Sequence, residues 1–294
     1  MGGPRPMKVD PALHHTGVTG WYWSNGLIEG SRHPIHKKAY ISNISDETLI
    51  NLFKIAPILY TCSDTHVVRF SSSLILKGGA FTQPSEAAML ELIRTTTPTP
   101  LPKVHCVLDT DSKSSAYGPQ CLMLMVFIED RSVKEIWSEA SDTQREDIVS
   151  QVASMIKSME SVTVPQDPGP LNCQQYRCGG SCFTDYGAGP FSNAPESIPP
   201  FRFRKLVLTH GDIAPRDLIV GTDGNVWLVD WEMPGIFPLG MDAATLRLDQ
   251  FRAPLFTDLL LAKIERHEVL TRQLQSIMYG LTTGIFLTGD LTLG

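Results

Sequence analysis

A chain of 294 residues, 42% hydrophobic and 19% charged, holds enough apolar material for one large domain or for two lobes around a cleft, which excludes a mainly disordered chain. Its net charge of −6 supplies no broad basic field for a nucleic-acid backbone or an anionic membrane, so a small-molecule partner is expected, with no nucleic acid and no membrane. The longest apolar run, Leu122–Ile128, is far too short to cross a bilayer, and six scattered cysteines without a basic-then-apolar leader point to reduced thiols in a cytoplasmic protein. Oligomeric state is left open.

Residues 1–44 read as an N-terminal arm, rich in Gly, Pro and His through residue 20 and followed by Trp21-Tyr22-Trp23, an aromatic knot expected to pack. A first lobe is expected over 45–129. Ser45-Asp46-Glu47-Thr48 before Leu49, Ile50, Leu52 and Phe53 is a capped helix start. Ile58–Thr61, His66–Phe70 and Leu74–Lys77, separated by polar turns, read as an antiparallel meander. Pro84–Arg94 is a helix with Pro at its start, and Val104–Leu108 with Leu122–Phe127 is a second strand pair.

Residues 130–294 are expected to form a mainly helical second lobe, entered by a helix over Arg145–Met159 and closed by helical spacing over Leu255–Leu287. Between Val164 and Pro200 the composition shifts to Gly, Pro, Asn, Ser and Cys, an insertion suited to one wall of a binding pocket. Cys173, Cys178 and Cys182 lie within it without paired zinc-ligand spacing and read as free thiols. The catalytic hairpin is expected over 206–232: Leu206–Thr209 runs into His210-Gly211-Asp212, and Thr222-Asp223-Gly224-Asn225 joins two β-branched runs, Leu218–Val220 and Val226–Val229.

That turn fixes a geometry. With Val220 opposite Val226, residue 217 falls opposite 229, so Asp217 and Asp230 flank each other at the open end of the hairpin, with Asp212 folded back toward them and Glu232 just beyond. Carboxylates this close repel unless a cation sits among them, which suits Mg²⁺ or Mn²⁺ held by oxygen. The plainer alternative is a pair of solvated acids, one capping a turn and one ending a strand.

The string His210-Gly211-Asp212-Ile213-Ala214-Pro215-Arg216-Asp217-Leu218-Ile219-Val220, followed by Asp230-Trp231-Glu232, resembles the catalytic and metal-binding segments of aminoglycoside phosphotransferase-like enzymes. The resemblance runs from about residue 50 to the C-terminus, and Phe183–Phe191 is similar to a segment of fungal relatives, which implies a role in secondary metabolism. It implies an α+β, protein-kinase-like two-lobe fold with a small antiparallel N-lobe and a mainly helical C-lobe. It also implies an ATP- and Mg²⁺-dependent transfer of a phosphoryl group to a small-molecule hydroxyl. On it, Asp212 takes the acceptor proton and Asp217 and Asp230 hold the metal. Lys77 contacts phosphate with Glu86 as its ion-pair partner, and Phe127–Glu129 form the adenine-binding hinge.

Three departures stand out. Asp217 occupies the position where the family pattern has Asn, which adds a negative charge near a triphosphate. Cys62-Ser63-Asp64 replaces a Gly-rich phosphate loop, and Gly78 and Gly79 follow Lys77 rather than precede it. These departures support two rival readings: a pseudokinase that binds a ligand, and a kinase fold repurposed for cyclisation or dehydration with Asp212 as acid or base. His210 is expected to be structural and Trp231 and Phe237 core, while Arg216 is read either as a contact to a phosphate or substrate acid or, more plainly, as a solvated loop cation.

Overall fold

The computed structural model describes residues 44–62, 65–79, 82–109, 121–164, 205–232, 234–248 and 250–273. The aromatic knot, Asp64, the Cys173 cluster, residues 165–204 and the expected helix after 273 lie outside the described residues.

Helix α1 (Asp46–Ile55) opens as its sequence dictates, with the Ser45 hydroxyl accepting from the Thr48 N–H at 3.3 Å. Strands β1 (Ile58–Cys62), β2 (Thr65–Arg69) and β3 (Leu74–Gly79) form the meander, and α2 (Pro84–Thr96) leads to β4 (Val104–Asp109) and β5 (Cys121–Val126). The five strands pair antiparallel in the order β1-β2-β3-β5-β4. Alternation along the strands sorts the side chains by face. Val68, Leu74, Leu76, Leu122 and Leu124 pack with Leu49 of α1, whereas Val67, Ile75, Met123 and Met125 join Met89, Leu90 and Ile93 of α2 in the larger core. Gly78 is required by this packing, because a Cβ there would meet the Leu122 side chain at 2.2 Å.

The second lobe contains β6 (Arg131–Ser132), α3 (Val133–Ile136), α4 (Asp142–Ser161), β7 (Leu206–Thr209), β8 (Leu218–Val220), β9 (Val226–Leu228), β10 (Gly235–Pro238), α5 (Met241–Leu248) and α6 (Pro254–Leu261). Helix α4 starts in a capping box between Ser141 and Gln144 and buries Ile148, Val152, Met155, Ile156 and Met159. This stripe packs against β7 and α6, forming the floor on which the hairpin rests. The hairpin has the register read from its turn, Leu218↔Leu228 and Val220↔Val226. Two further pairings were not visible in the sequence: β6 lies against β8, and β10 against β7. The lobes are also joined by the backbone, since the Leu228 N–H donates to the Pro100 carbonyl at 3.0 Å. Among the described residues no helix is long and apolar enough to cross a membrane.

Candidate active site

Strand β3 aims the Lys77 side chain at the interface of the two lobes. Its Nζ lies 2.9 Å from Glu86 Oε1 of α2, 3.1 Å from Asp230 Oδ1 and 3.6 Å from Glu232 Oε1. Lys77 and Glu86 are buried, at 5% and 3% exposure, so the pair lies in a poorly screened setting. Burial alone would lower the Lys77 pKa, but the three carboxylates hold it well above its usual value. For Glu86, burial is the larger influence and pushes the carboxyl up to about 8 against the pull of Lys77. One ammonium faces three carboxyl groups at this point.

The loop after β7 is held by a buried scaffold. His210, fully buried, accepts the Asp212 N–H on Nδ1 at 3.3 Å and donates from Nε2 to the Val229 carbonyl at 3.1 Å. Burial lowers its pKa and keeps the ring neutral, which this tautomer requires. Trp231 packs edge-on against it, with ring centroids 4.5 Å apart. Gly211 sits at φ 87°, where a side chain would be strained. Its N–H donates to Asp242 Oδ1 at 2.8 Å, and the His210 N–H donates to Asp242 Oδ2 at 3.4 Å. Asp242, buried at the start of α5, therefore anchors the loop, and burial raises its carboxyl to about 6 despite those bonds. Sequence reading missed it; its only signal was a lone acid in the small-residue run Met241-Asp242-Ala243-Ala244.

At the hairpin mouth, Asp217 closes a 3-10 turn begun by Pro215, and the Val229 N–H donates to the Asp217 carbonyl at 2.8 Å. Asp230 follows with φ 61°, a left-handed backbone that Asp tolerates better than most residues. Arg216 is not a solvated loop cation. It is largely buried, bonds the Asp212 carboxylate and lies 3.4 Å from Asp217 Oδ2. Asp217 itself is 1% exposed, and neither carboxylate oxygen has a hydrogen-bond partner. Burial, followed by repulsion from Asp230, drives its pKa well above the usual range.

Beside these groups lies a cleft lined by Tyr60, Val67, Ile75 and Met125 from the sheet, Phe127 from the link between lobes, and Ile219, Val229 and Trp231 from the hairpin. Its charged lining groups are Lys77, Glu86 and Asp230. Phe127 thus joins the site, its ring held under the Arg69 guanidinium at 4.3 Å. Glu129 does not join it: its side chain is exposed and pairs with Arg69 at 3.7 Å.

The acids at the hairpin mouth offer the oxygen donors that a hard divalent cation takes. Buried carboxylate oxygens on Asp217 and Glu232 accept no hydrogen bond, their cationic neighbours being Arg216 at 3.4 Å and Lys77 at 3.6 Å. Among the described residues no three His, Cys, Asp or Glu side chains form a complete ligand group. A cation held by Asp217 and Asp230 would therefore share its remaining positions with water and substrate oxygens.

A buried Lys-Glu pair in a small sheet lobe faces a His-Gly-Asp loop and an Asp-ended hairpin in a helical lobe, a two-lobe fold shared with solved aminoglycoside phosphotransferases. Among solved structures the chain is similar to aminoglycoside phosphotransferases. It aligns with the GDP and kanamycin complex of an APH(2'') enzyme at TM-score 0.52 and 13% identity, over 80% of this chain and 87% of that one. The GDP complex of wild-type aminoglycoside 2'-phosphotransferase-IIIa gives 0.53 and 12%, over 80% and 86%, and the ADP-bound APH(2'')-Ib gives 0.51 and 12%, over 84% and 93%. No protein-family model and no curated protein matches the sequence.

Proposed function

We propose that this protein is a small-molecule kinase, using ATP and Mg²⁺ to phosphorylate a hydroxyl group. The observation that carries this reading is the convergence on Lys77: an ammonium from the sheet lobe, oriented by Glu86 and placed 3.1 Å from Asp230 of the other lobe, at the edge of an apolar cleft. That solved neighbours were captured with GDP or ADP supports the same reading. A reaction fed by ATP also suits the cytoplasm.

In this scheme the base of ATP lies against Phe127, Met125 and Ile75, and Lys77 holds phosphate oxygens. Asp212 accepts the proton of the acceptor hydroxyl as its oxygen bonds to the γ-phosphorus; the bond from that phosphorus to the β–γ bridging oxygen breaks, and ADP leaves. Asp217 and Asp230 would hold the divalent cation, whose contribution is to neutralise phosphate charge. The chain's own part is mostly positioning: His210 and Asp242 fix the loop that carries Asp212, and Glu86 fixes Lys77.

The test is thermal unfolding with and without Mg²⁺-ATP. Ligand at about 100 times its dissociation constant stabilises by about 2.7 kcal/mol, a rise in Tm of roughly 4–5 °C for a chain of this size. The rise is expected to need the metal and to vanish in Asp230→Ala. One observation favours a second reading, a kinase fold that binds a metabolite without transferring phosphate: Lys77 already faces three carboxylates, and a triphosphate adds more negative charge. No shift with millimolar nucleotide would select that reading.

A further inference from the structure

Arg216 and Asp217 are neighbours in a 3-10 turn that Pro215 starts, so their side chains are held close by the backbone. Asp217 is the acid that sits where the resembled family has an amide, and it is the more deeply buried of the two: 2% of its side chain is exposed, against 16% for Arg216. A buried carboxylate without hydrogen bonds is expensive unless a cation faces it. Its neighbouring acids, Asp230, Asp212 and Glu232, only add repulsion. Among the described residues, the ion pair that Asp217 makes is with Arg216, at 3.4 Å. The guanidinium is not free to swing away, because the same Nη2 bonds Asp212 Oδ2.

We infer that Arg216 is a positioning residue whose task is to neutralise Asp217 in place. Together the two side chains present the phosphate site with the net charge of the single amide they replace, while leaving two oxygen donors at position 217. Asp212 anchors the guanidinium rather than being blocked by it, since a guanidinium can serve two carboxylates through separate N–H groups. The substitution at 217 is then compatible with a triphosphate only as long as Arg216 is present.

The experiment uses four full-length proteins: wild type, Arg216→Met, Asp217→Asn and the double variant. Two quantities are measured, the Mg²⁺-ATP dissociation constant by calorimetry and the ligand-free Tm. Arg216→Met is expected to weaken nucleotide binding by about tenfold or more and to lower Tm by about 5 °C or more, because it strands a buried charge. Asp217→Asn alone is the reference for the double variant: once position 217 carries no acid, losing the guanidinium is expected to change the dissociation constant by less than about threefold. In the double variant both losses should largely disappear, a non-additivity that a residue acting only through packing does not give. If the double variant is as impaired as Arg216→Met, the inference is overturned. Should Arg216→Met fail to fold, a folded double variant supports it and an unfolded one overturns it. The nucleotide arm rests on the phosphotransferase reading, whereas the ligand-free arm does not. A wild type that binds no nucleotide therefore removes the reading and leaves the Tm cycle to decide the role of Arg216.

Discussion

Glu232 reaches Lys77 from the far lobe, stopping 3.6 Å short of the ammonium, with the buried Thr65 hydroxyl of β2 facing it. Burial raises its pKa while Lys77 pulls it back. A carboxylate in that place competes with phosphate oxygens for the one ammonium, so Glu232→Gln is expected to tighten Mg²⁺-ATP binding on the order of tenfold, read by calorimetry. Weaker binding would instead make Glu232 a ligand of the nucleotide-metal complex. The placing of Asp217 beside Asp230 was legible in the sequence because the hairpin turn fixes their register, and the return of Asp212 toward them because Pro215 marks a turn. Glu232 was seen only as the next acid along, since its meeting with Lys77 depends on how two lobes close, which no local pattern encodes. Arg216 was misread for a related reason: Pro215 signals a turn, but nothing in the string shows that the turn is covered.

At the level of elements, the hairpin owes its position to α4. Gln151 donates from Nε2 to the Gly224 carbonyl at 3.1 Å and accepts the Val226 N–H on Oε1 at 2.9 Å, clamping the turn whose strands deliver Asp217 and Asp230. Losing both bonds in Gln151→Ala is expected to cost about 1–2 kcal/mol, measurable by urea unfolding. Gln151→Glu keeps the acceptor and loses the donor, so it should fall between the two. Strands of five or six residues set off by polar turns, such as β2 and β3, or carried by a continuous apolar run, such as β5, were readable, and so was the α4 stripe. Strand β6 has two residues and β10 has four, all of the latter buried, so neither offers a period to detect. Yet those two pairings tie the hairpin and the catalytic loop into the second lobe.

Among the described residues buried acid is in excess, and a second concentration of it lies behind the loop that carries Asp212. Burial pushes Glu160, at the end of α4, up to about 7, with repulsion from Asp242 and Glu265 adding to the rise and the Gly240 N–H and Lys205 opposing it. Lys205 is committed elsewhere as well, its Nζ donating to the Glu160 carbonyl at 2.7 Å. Both Glu160 and Asp242, the latter at about 6, titrate in the folded protein above their unfolded values near 4. The native state thus binds more protons between about pH 4 and 7, and linkage makes these groups lower stability as pH rises through that window, with no further change above it. His210 works the other way: buried and neutral, with its pKa lowered, it reduces stability as pH falls below its unfolded value near 6.5. The two trends overlap, so the bare pH profile of Tm cannot separate them, but a difference between variants can. Glu160→Gln removes one proton site and leaves His210 in place. Because Glu160 is only partly buried, solvent screening limits its share to about 1–2 kcal/mol, and the variant should gain that much relative to wild type at pH 7.5 and nothing at pH 4. An equal gain at both values would mean that Glu160 acts through packing, and that the acid behind the loop carries no pH-dependent cost.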